Sequence, residues 1–409
     1  MKTTPNTVGS EESLAERILL WTLMLVQFTT IVDFMIIMPL SSDLMREMQI
    51  GTAHFGLVIS AYAIAAAASS LLAAAIADRF DRRHALLFTF AGLAVSTLGC
   101  ALAHGPTALL AARALAGLFG GVLGSITLAI VGDVIPMQRR GRAMSVVMLG
   151  FSLAAVAGVP AGLFIAAHYG WRMPFVALTV LCLIIGVVAW RWVPSVRGHL
   201  VARANAPAQS LLQSWRELLA VPNHWRAFVL NFLLMFSGFL IIPYIAPALV
   251  ANVGLSQAQL SWIYLVGGAG TLISRPILGR LTDKYPYIRV LSCVIIVSCI
   301  PMMLVTLTLP LSLPWQLLFA MLFFVLVSGR FIPAMAMTTA STEARFRGRV
   351  MAFSSAVQNF GSGSAAFIAG LILSTDEAGR LLHFEWVGVL ACAIGLFAIW
   401  AGSKVKRIS

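Results

Sequence analysis

Apolar runs alternate with short polar and charged segments along almost the whole chain, from Ile18 to Ala401. Most runs approach the roughly 20 residues that a helix needs to cross the hydrocarbon core of a bilayer. Only a helix closes all of its backbone hydrogen bonds within one lipid-exposed segment. The pattern predicts twelve transmembrane helices, at residues 18–41, 55–77, 85–103, 107–131, 143–167, 173–193, 225–250, 257–279, 288–309, 313–337, 349–373 and 385–402.

The composition agrees with a membrane protein. Of 409 residues, 60% are hydrophobic and only 11% are charged, whereas soluble domains are about 45–50% apolar and about 25% charged. This excludes a water-soluble enzyme. The five cysteines lie within apolar runs without metal-ligand spacing, so we expect them to pack as small apolar side chains and expect neither a metal site nor a cofactor. The first apolar run is too long for a cleaved signal peptide and predicts a retained helix.

The basic residues predict the orientation. If both termini lie on one side, that side holds 22 of the 28 lysines and arginines, the opposite side holds Arg46, Arg172 and Arg380, and three lie within spans. The positive-inside rule then places both termini in the cytoplasm, in a protein integral to the cytoplasmic (inner or plasma) membrane. The net charge of +13 therefore requires no nucleic acid and reflects topology and attraction to membrane lipids.

Two short motifs recur about half a chain length apart. Asp-Arg-Phe at 78–80 follows the second span, and Asp-Lys-Tyr at 283–285 follows the eighth. Arg-Gly-Arg-Ala-Met at 140–144 opens the fifth span, and Arg-Gly-Arg-Val-Met at 347–351 opens the eleventh. Two matches at nearly one offset indicate a duplicated six-helix unit, an arrangement common in transporters.

The duplication divides the chain into residues 1–193, a cytoplasmic linker at 194–222, and residues 223–409. Within the linker, Ser210 is placed to cap a short amphipathic helix on the membrane surface. An unstructured tether is the alternative. The apolar stripe of this helix consists of Leu211, Leu212, Trp215, Leu218 and Leu219.

These motifs resemble the major facilitator superfamily over nearly the whole chain. The family signature G-x-L-a-D-r-x-G-r-k is similar to Ala-Ala-Ile-Ala-Asp-Arg-Phe-Asp-Arg-Arg at 74–83, with a second copy in Gly-Arg-Leu-Thr-Asp-Lys-Tyr at 279–285. The pattern R-x-x-x-G is present at 113–117. The resemblance implies an all-α membrane protein with twelve transmembrane helices in two pseudo-symmetric six-helix bundles, working as a monomer by alternating access.

The fifth helix narrows the resemblance. Drug:proton antiporters carry G-x-x-x-G-P-x-x-G-G there, whereas this chain has Gly-Val-Pro-Ala-Gly at 158–162 and Gly-Trp-Arg at 170–172, more similar to sugar- and nucleoside-efflux relatives. Because no G-x-x-x-x-G-K-[ST] phosphate loop is present, ATP is not the direct drive. We expect a secondary transporter that exports a small polar or amphiphilic solute by proton antiport. The alternatives are a proton symporter importing an organic anion, and a receptor or enzyme on the same fold.

Four charged residues lie well inside predicted spans, away from the helix ends, where each costs about 2.5–3.5 kcal/mol on insertion scales: Asp33, Arg113, Arg275 and Arg330. Asp33 is the only acid well inside a span, which makes it the candidate proton carrier. A permanent ion pair with Arg113 that only holds two helices together is the alternative. In the exporters that the chain resembles, a first-helix acid and a fourth-helix arginine couple protons to transport.

Arg330 and Arg275 have no intramembrane acid in the second half, which predicts that they hold an anionic or strongly polar substrate. For Arg275, snorkelling toward the membrane surface is the alternative. Uncharged polar residues on helices one, seven and eleven are further candidate substrate ligands, although interhelical hydrogen bonds explain them equally well. They are Gln27, Asn231, Tyr244, Gln358 and Asn359.

Charged residues at the cytoplasmic helix ends are expected to act as gates, as the resemblance implies. Asp78 is placed to approach the start of the eleventh helix near Arg349, and Asp133 is placed to pair with Arg79 or Arg82. By the duplication, Asp283 and Arg142 would form the mirror contact. Ordinary positive-inside charge is the alternative for most of the arginines.

Overall fold

The computed structural model describes residues 14–76, 80–197, 211–343 and 346–407 and is almost entirely helical. Asp78, Arg79 and Ser210 lie outside the described residues. The helices and the one short hairpin are α1 Leu14–Ile36, α2 Ser41–Met48, α3 Thr52–Ile76, α4 Arg82–Ala101, α5 Pro106–Val134, α6 Met137–Leu153, a π-helical turn Ala154–Gly158, α7 Val159–Tyr169, α8 Met173–Trp192, α9 Leu211–Leu219, α10 Pro222–Phe239, a 3₁₀ turn Ile242–Tyr244, α11 Ile245–Val253, α12 Gln257–Lys284, α13 Tyr287–Thr306, α14 Leu313–Gly329, α15 Phe331–Ala340, α16 Arg347–Ile372, β1 Ser374–Thr375, β2 Leu381–Leu382 and α17 Phe384–Ser403.

Ten helical segments of the described residues are long and apolar enough to cross a membrane. Two further long helices, α12 and α16, correspond to the predicted eighth and eleventh spans but are less apolar, because α12 ends in a charged turn and α16 is rich in serine and glycine. Together they match the predicted all-α membrane fold. α12 begins in a capping box, in which Ser256 and Gln259 satisfy each other's backbone N–H groups.

The first predicted span is too long at its C-terminal end. α1 stops at Ile36, and a separate helix, α2, follows and closes with Gln49 in the left-handed conformation. A short hairpin between α16 and α17, whose two strands have two residues each, was not predicted either. Both elements lie at helix connections, where the apolar pattern carries the least information.

Three predicted spans are interrupted helices. The fifth contains the π-helical turn, followed by Pro160, which cannot donate the hydrogen bond that a regular helix needs there. The seventh changes to a 3₁₀ turn at Ile242–Tyr244, and the tenth is interrupted at Arg330. Interruptions at membrane depth are tolerated where protein surrounds them and often mark functional positions.

The chain alternates between two ends of the bundle. We call the end where α4, α6 and α16 begin the basic end, since most basic residues flank it, and the end where α3 begins the far end. At the far end, one apolar cluster joins both halves and includes Ile36, Phe55 and Leu163 from the first half and Leu240 and Phe384 from the second.

At the basic end, by contrast, the described residues form separate apolar clusters. One belongs to the first half and includes Leu86 and Val147, and another belongs to the second half and includes Leu230 and Leu291. α9 packs its Leu218 and Trp215 on the second half. The halves are therefore closed against each other at the far end and less joined at the basic end.

Candidate functional site

A fully buried ion pair lies in the first half. Asp33 of α1 and Arg113 of α5 are both 0% exposed. Arg113 Nη1 donates to Asp33 Oδ2 at 3.2 Å and to the Asp33 backbone oxygen at 2.9 Å. Thr97 of α4 donates to the other carboxylate oxygen, Oδ1, at 2.8 Å. Removing one partner of such a pair would leave an uncompensated buried charge, at a cost of about 3–5 kcal/mol.

Aromatic rings connect this ion pair to the second half. The Arg113 guanidinium lies 4.4 Å from the centre of the Tyr62 ring, a cation–π distance. Phe34, the residue after Asp33, has its ring centre 5.1 Å from Tyr62 and 5.8 Å from Phe239 of α10. A change at the ion pair can therefore reach the contact between the halves through two rings.

α3 packs unusually close to α5 beside the pair. A Cβ added to Gly117 would lie 2.1 Å from the backbone oxygen of Tyr62, a distance that real side chains do not adopt. Glycine is therefore required at this position for the two helix backbones to approach, and the approach brings Tyr62 to Arg113.

The far end is held shut by hydrogen bonds between the halves. Thr52 Oγ1 of α3 lies within hydrogen-bonding distance of the backbone oxygens of Gly370 in α16, at 3.1 Å, and of Leu373 directly after α16, at 2.8 Å. The Tyr244 hydroxyl lies 2.9 Å from the Ala366 backbone oxygen and 3.3 Å from that of Thr52. Tyr244, predicted as a substrate ligand, is fully buried in this closed end.

A polar contact lies beside it, outside the spans. Gln257 Nε2 of α12 donates to Asp43 Oδ2 of α2 at 2.8 Å, and Arg46 pairs with the other carboxylate oxygen at 2.8 Å. Burial raises the pKa of Asp43 above its ordinary value, while the charge of Arg46 opposes that rise. The carboxylate links a first-half helix to a second-half helix.

A cleft of about 710 Å³ opens at the basic end. It is bounded by α6, α12, the start of α13, the two pieces of the tenth span and the start of α16. Arg275 and Arg347 line it. Arg275 Nη1 donates to Ser152 Oγ across the halves at 3.1 Å, and its guanidinium lies 4.8 Å from the Phe151 ring centre. The other side chains lining the cleft are Met148, Tyr287, Ser328, Phe331, Ile332, Met335, Ala336, Thr339 and Ala340.

Arg330 lies elsewhere, in the core of the second half. It is 0% exposed and is not among the residues that line the cleft. Its Nε donates to Ser298 Oγ and its Nη1 to Ser237 Oγ, both at 3.0 Å, and Nη2 also contacts Ser298 and the sulfur of Met302. None of the described acidic side chains pairs with it. As a ligand, Arg330 would have to exchange these contacts for substrate in another conformation.

The predicted polar ligands of the second half form a network. Gln358 Nε2 donates to Asn231 Oδ1 at 3.0 Å, and Asn231 Nδ2 donates to Thr338 Oγ1 at 2.9 Å, which joins α16, α10 and α15. Asn359 is half-buried next to this network. Gln27 lies apart, in the first half, with its Nε2 3.7 Å from the position of a Cβ on Gly124 and its Oε1 buried without a partner.

Two predicted gate residues, Asp78 and Arg79, fall outside the described residues. Arg82 Nε donates to Asp133 Oδ2 at 3.2 Å, within the first half. Arg349 approaches Glu217 of α9 at 3.9 Å. Asp283 is exposed, and its contact with Arg142 stays a prediction.

Asp81 is a position that sequence reasoning did not single out. Its carboxylate caps α4 by accepting from the Arg83 backbone N–H at 2.9 Å, and it also accepts from the Val196 backbone N–H, Ser195 Oγ and Arg197 Nε. Burial alone would raise the pKa of Asp81, but these hydrogen bonds hold it well below its ordinary value. Asp81 therefore anchors the start of the linker to the first half. An aspartate directly before a helix was the available signal.

No group of three or more potential metal ligands is found among the described residues. The described candidate residues combine one buried acid, Asp33, with the basic side chains of Arg113, Arg275, Arg330 and Arg347 and with neutral polar groups. Such groups suit proton exchange and solute binding.

The sequence is similar to several transport proteins. A chloramphenicol resistance protein of Streptomyces lividans is 30% identical over 248 residues, a match covering 60% of this chain and 61% of that protein. The chain thus spans less than two thirds of that relative. A probable sugar efflux transporter of Helicobacter pylori is 25% identical over 88% of both chains. A solved D-xylose-proton symporter has a TM-score of 0.78 at 15% identity, covering 96% of this chain and 99% of that chain, which shows the fold alone.

The family match is more extensive. Residues 23–249 and 227–406 match the Major Facilitator Superfamily, and the helical spans fit that fold. The chain is therefore an integral membrane protein that belongs to the Major Facilitator Superfamily, and it is a transporter and not an enzyme.

Proposed function

We propose that this transporter exports a small polar or amphiphilic solute by proton antiport, with Asp33 as the proton carrier and Arg113 as the group that controls it. The observation that carries the proposal is the isolated, fully buried pair of Asp33 and Arg113. Two relatives carry efflux or drug resistance in their names, which supports the outward direction.

The pair suits proton exchange because proton and arginine compete for one carboxylate. In the far-closed state, Arg113 and Thr97 donate hydrogen bonds to the Asp33 oxygens, so a proton on this carboxylate would have to replace the contact with Arg113. In a far-open state, water would reach the carboxylate and a proton would replace Arg113. Closure of the far end would then expel that proton on the basic side, while solute enters the cleft from the same side.

The rings give this exchange a route to the second half. Phe34 follows Asp33 directly and touches Phe239, so displacement of Arg113 would disturb the packing of Tyr62 and Phe34 at the contact between halves. Rocking of residues 1–193 against 223–409 about this contact, with residues 194–222 as the connection, is the alternating-access motion that we propose.

The orientation and the remaining site residues belong to the same proposal. The basic end would face the cytoplasm, with both termini there, because the positive-inside rule favours it. Arg275, Arg330 and the network of Asn231 and Gln358 would serve as solute ligands in one conformation or another. Charged groups at the basic end, Asp133 with Arg82 among them, would form the inner gate. The protein would work as a monomer.

Proton symport that imports an organic anion is the second candidate. It is favoured by Arg275 and Arg347, which line the cleft with no acidic side chain among the other described lining residues. The sign of the proton gradient that drives accumulation separates the two candidates.

The test uses everted membrane vesicles that hold a proton gradient, read by a quenched acridine dye. Chloramphenicol, sugars, nucleosides and organic anions are added in turn, and we expect at least one to collapse the gradient in the wild type and not in Asp33→Asn. Glu377→Gln, an exposed acid in the far-end hairpin, is the matched control and should behave as wild type. Equal collapse in Asp33→Asn would refute the assignment of the proton carrier.

A further inference from the structure

The cleft at the basic end has one sign of charge. Among the described residues that line it, the two charged ones, Arg275 and Arg347, are both cationic and none is acidic. Neither arginine forms an ion pair within the described part of the chain. Uncompensated cations in a concave, partly apolar site raise the local concentration of anions.

Arg275 also has hydrogen-bonding capacity to spare. A guanidinium has five N–H groups, and Arg275 uses one of them, toward Ser152. Its remaining donors meet no acceptor in the described structure, and the side chain is only half-buried. The guanidinium also lies 4.8 Å from the centre of the Phe151 ring, and its unused donors can bind a carboxylate or phosphate with two parallel hydrogen bonds.

The rest of the cleft is suited to an apolar body. Phe331, Ile332 and Met335 line one wall and Met148 faces them from the first half. Ser328, Thr339 and Tyr287 add hydroxyl groups. A volume of about 710 Å³ falls in the range of about 300–1,000 Å³ typical of sites for drug-sized ligands.

We propose that the cleft between α6, α12 and α15 binds an organic anion with an apolar body, whose carboxylate or phosphate is held by Arg275 and Arg347. This inference rests on the proposed transport function and names its substrate class. Because Met148 belongs to the first half and the other described lining residues to the second, the bound anion would bridge both halves.

The test measures equilibrium binding of tritiated naphthoate to the protein in nanodiscs of zwitterionic lipid, without a proton gradient. Naphthylmethylammonium and naphthalenemethanol are compared as the cationic and neutral analogues of the same ring. We expect naphthoate to bind at least about tenfold more tightly than either analogue. Equal binding of the three compounds, or tighter binding of the cation, would overturn the proposal.

Variants at the cleft test whether naphthoate binds there. Arg275→Gln should weaken naphthoate binding at least about tenfold, and Arg275→Lys should weaken it less because the charge remains. Arg280→Gln removes an exposed arginine of the same helix and should stay within about twofold of wild type. If Arg275→Gln and Arg280→Gln lose the same affinity, surface charge and not the cleft binds the anion, and the proposal is wrong.

A second variant guards against misfolding of the Arg275 variants. Ala336→Phe fills the cleft without changing any charge, and we expect it to abolish naphthoate binding while the protein elutes as a single monodisperse species. Retained binding in folded Ala336→Phe would contradict the proposal.

A further binding experiment distinguishes a lipid headgroup from a soluble solute as the source of the anion. Displacement of naphthoate when phosphatidylglycerol is added to the nanodiscs would identify a lipid headgroup, and unchanged binding would identify a soluble solute; both retain the anion chemistry. Naphthoate binding is measured without a proton gradient, so its result does not depend on proton coupling through Asp33. Failure of the binding proposal and failure of the transport proposal can therefore be distinguished.

Discussion

Gly370 is the residue at which one added methyl group should open the far end. A Cβ there would lie 2.6 Å from the Tyr244 hydroxyl and 2.7 Å from the backbone oxygen of Thr52. The tyrosine ring is buried and the Thr52 oxygen is part of α3, so neither can move away cheaply. Gly370→Ala therefore forces α16 away from α3, which separates the two halves at this end.

The magnitude follows from the cost of overpacking, about 1–3 kcal/mol. The Thr52 oxygen belongs to the first half, so the clash with it exists only while the far end is closed, whereas the contact with the Tyr244 hydroxyl lies within the second half. If the clash with Thr52 carries that cost, the ratio of closed to open molecules should drop about fivefold to more than a hundredfold. The intrinsic helix preference of alanine over glycine, up to about 1 kcal/mol, applies in both states and cancels.

The assay is double electron–electron resonance between spin labels at His54→Cys and Ala258→Cys, both exposed near the far end, in a background without the native cysteines. We expect Gly370→Ala to gain a longer-distance population. Gly279→Ala, on α12, is the matched control, since nothing lies within 4 Å of a Cβ there. An unchanged distance distribution in Gly370→Ala would refute the reasoning about the closed end.

Three other predictions concern the linker, the buried arginine and the rings. Asp81→Asn should lower the free energy of unfolding by about 1–3 kcal/mol at pH 7. Because the pKa of Asp81 is lowered in the folded protein, the higher thermal stability of the wild type should be present above about pH 4 and shrink as the pH falls further. A difference in stability that does not change with pH would contradict this prediction. Arg330→Met should keep thermal stability within about 1 kcal/mol, since it removes a buried charge without a counter-charge, but should abolish solute-dependent collapse of the proton gradient; large loss of stability would show a structural role instead. Phe239→Leu should slow that collapse about twofold to tenfold, matching an aromatic pair of about 0.5–1.5 kcal/mol, with unchanged solute binding, whereas Phe232→Leu, the control, should have wild-type rates.

The apolar pattern was sufficient to predict the fold class, because an apolar run long enough to cross a bilayer is nearly always a helix there. It could not locate the π-helical turn at Ala154–Gly158 or the interruption at Arg330, which depend on tertiary packing. α2 was not predicted because its sequence is mostly polar and lies almost entirely beyond the first apolar run, which contains Pro39 near its end.

The candidate site could be predicted from the sequence where it contains ionisable residues, because these are scarce inside membrane spans. Asp33 and Arg113 stand out because few ionisable residues occur inside spans, and they are in contact. Thr97 and Tyr62 could not be singled out, since hydroxyl groups are common in membrane helices. Sequence gives depth along a helix but not which neighbours a side chain meets, so it could not separate Arg275, which lines the cleft, from Arg330, which lies in the core.

Accumulation of solute under imposed gradients of both signs tests proton antiport through Asp33 most directly. The protein is reconstituted into liposomes whose lumen is either more acidic or more alkaline than the medium, and uptake of the solute identified in the vesicle screen is followed. Antiport predicts accumulation above equilibrium in acidic liposomes alone, with only equilibration in Asp33→Asn. Accumulation in alkaline liposomes, or undiminished accumulation by Asp33→Asn, would contradict the account.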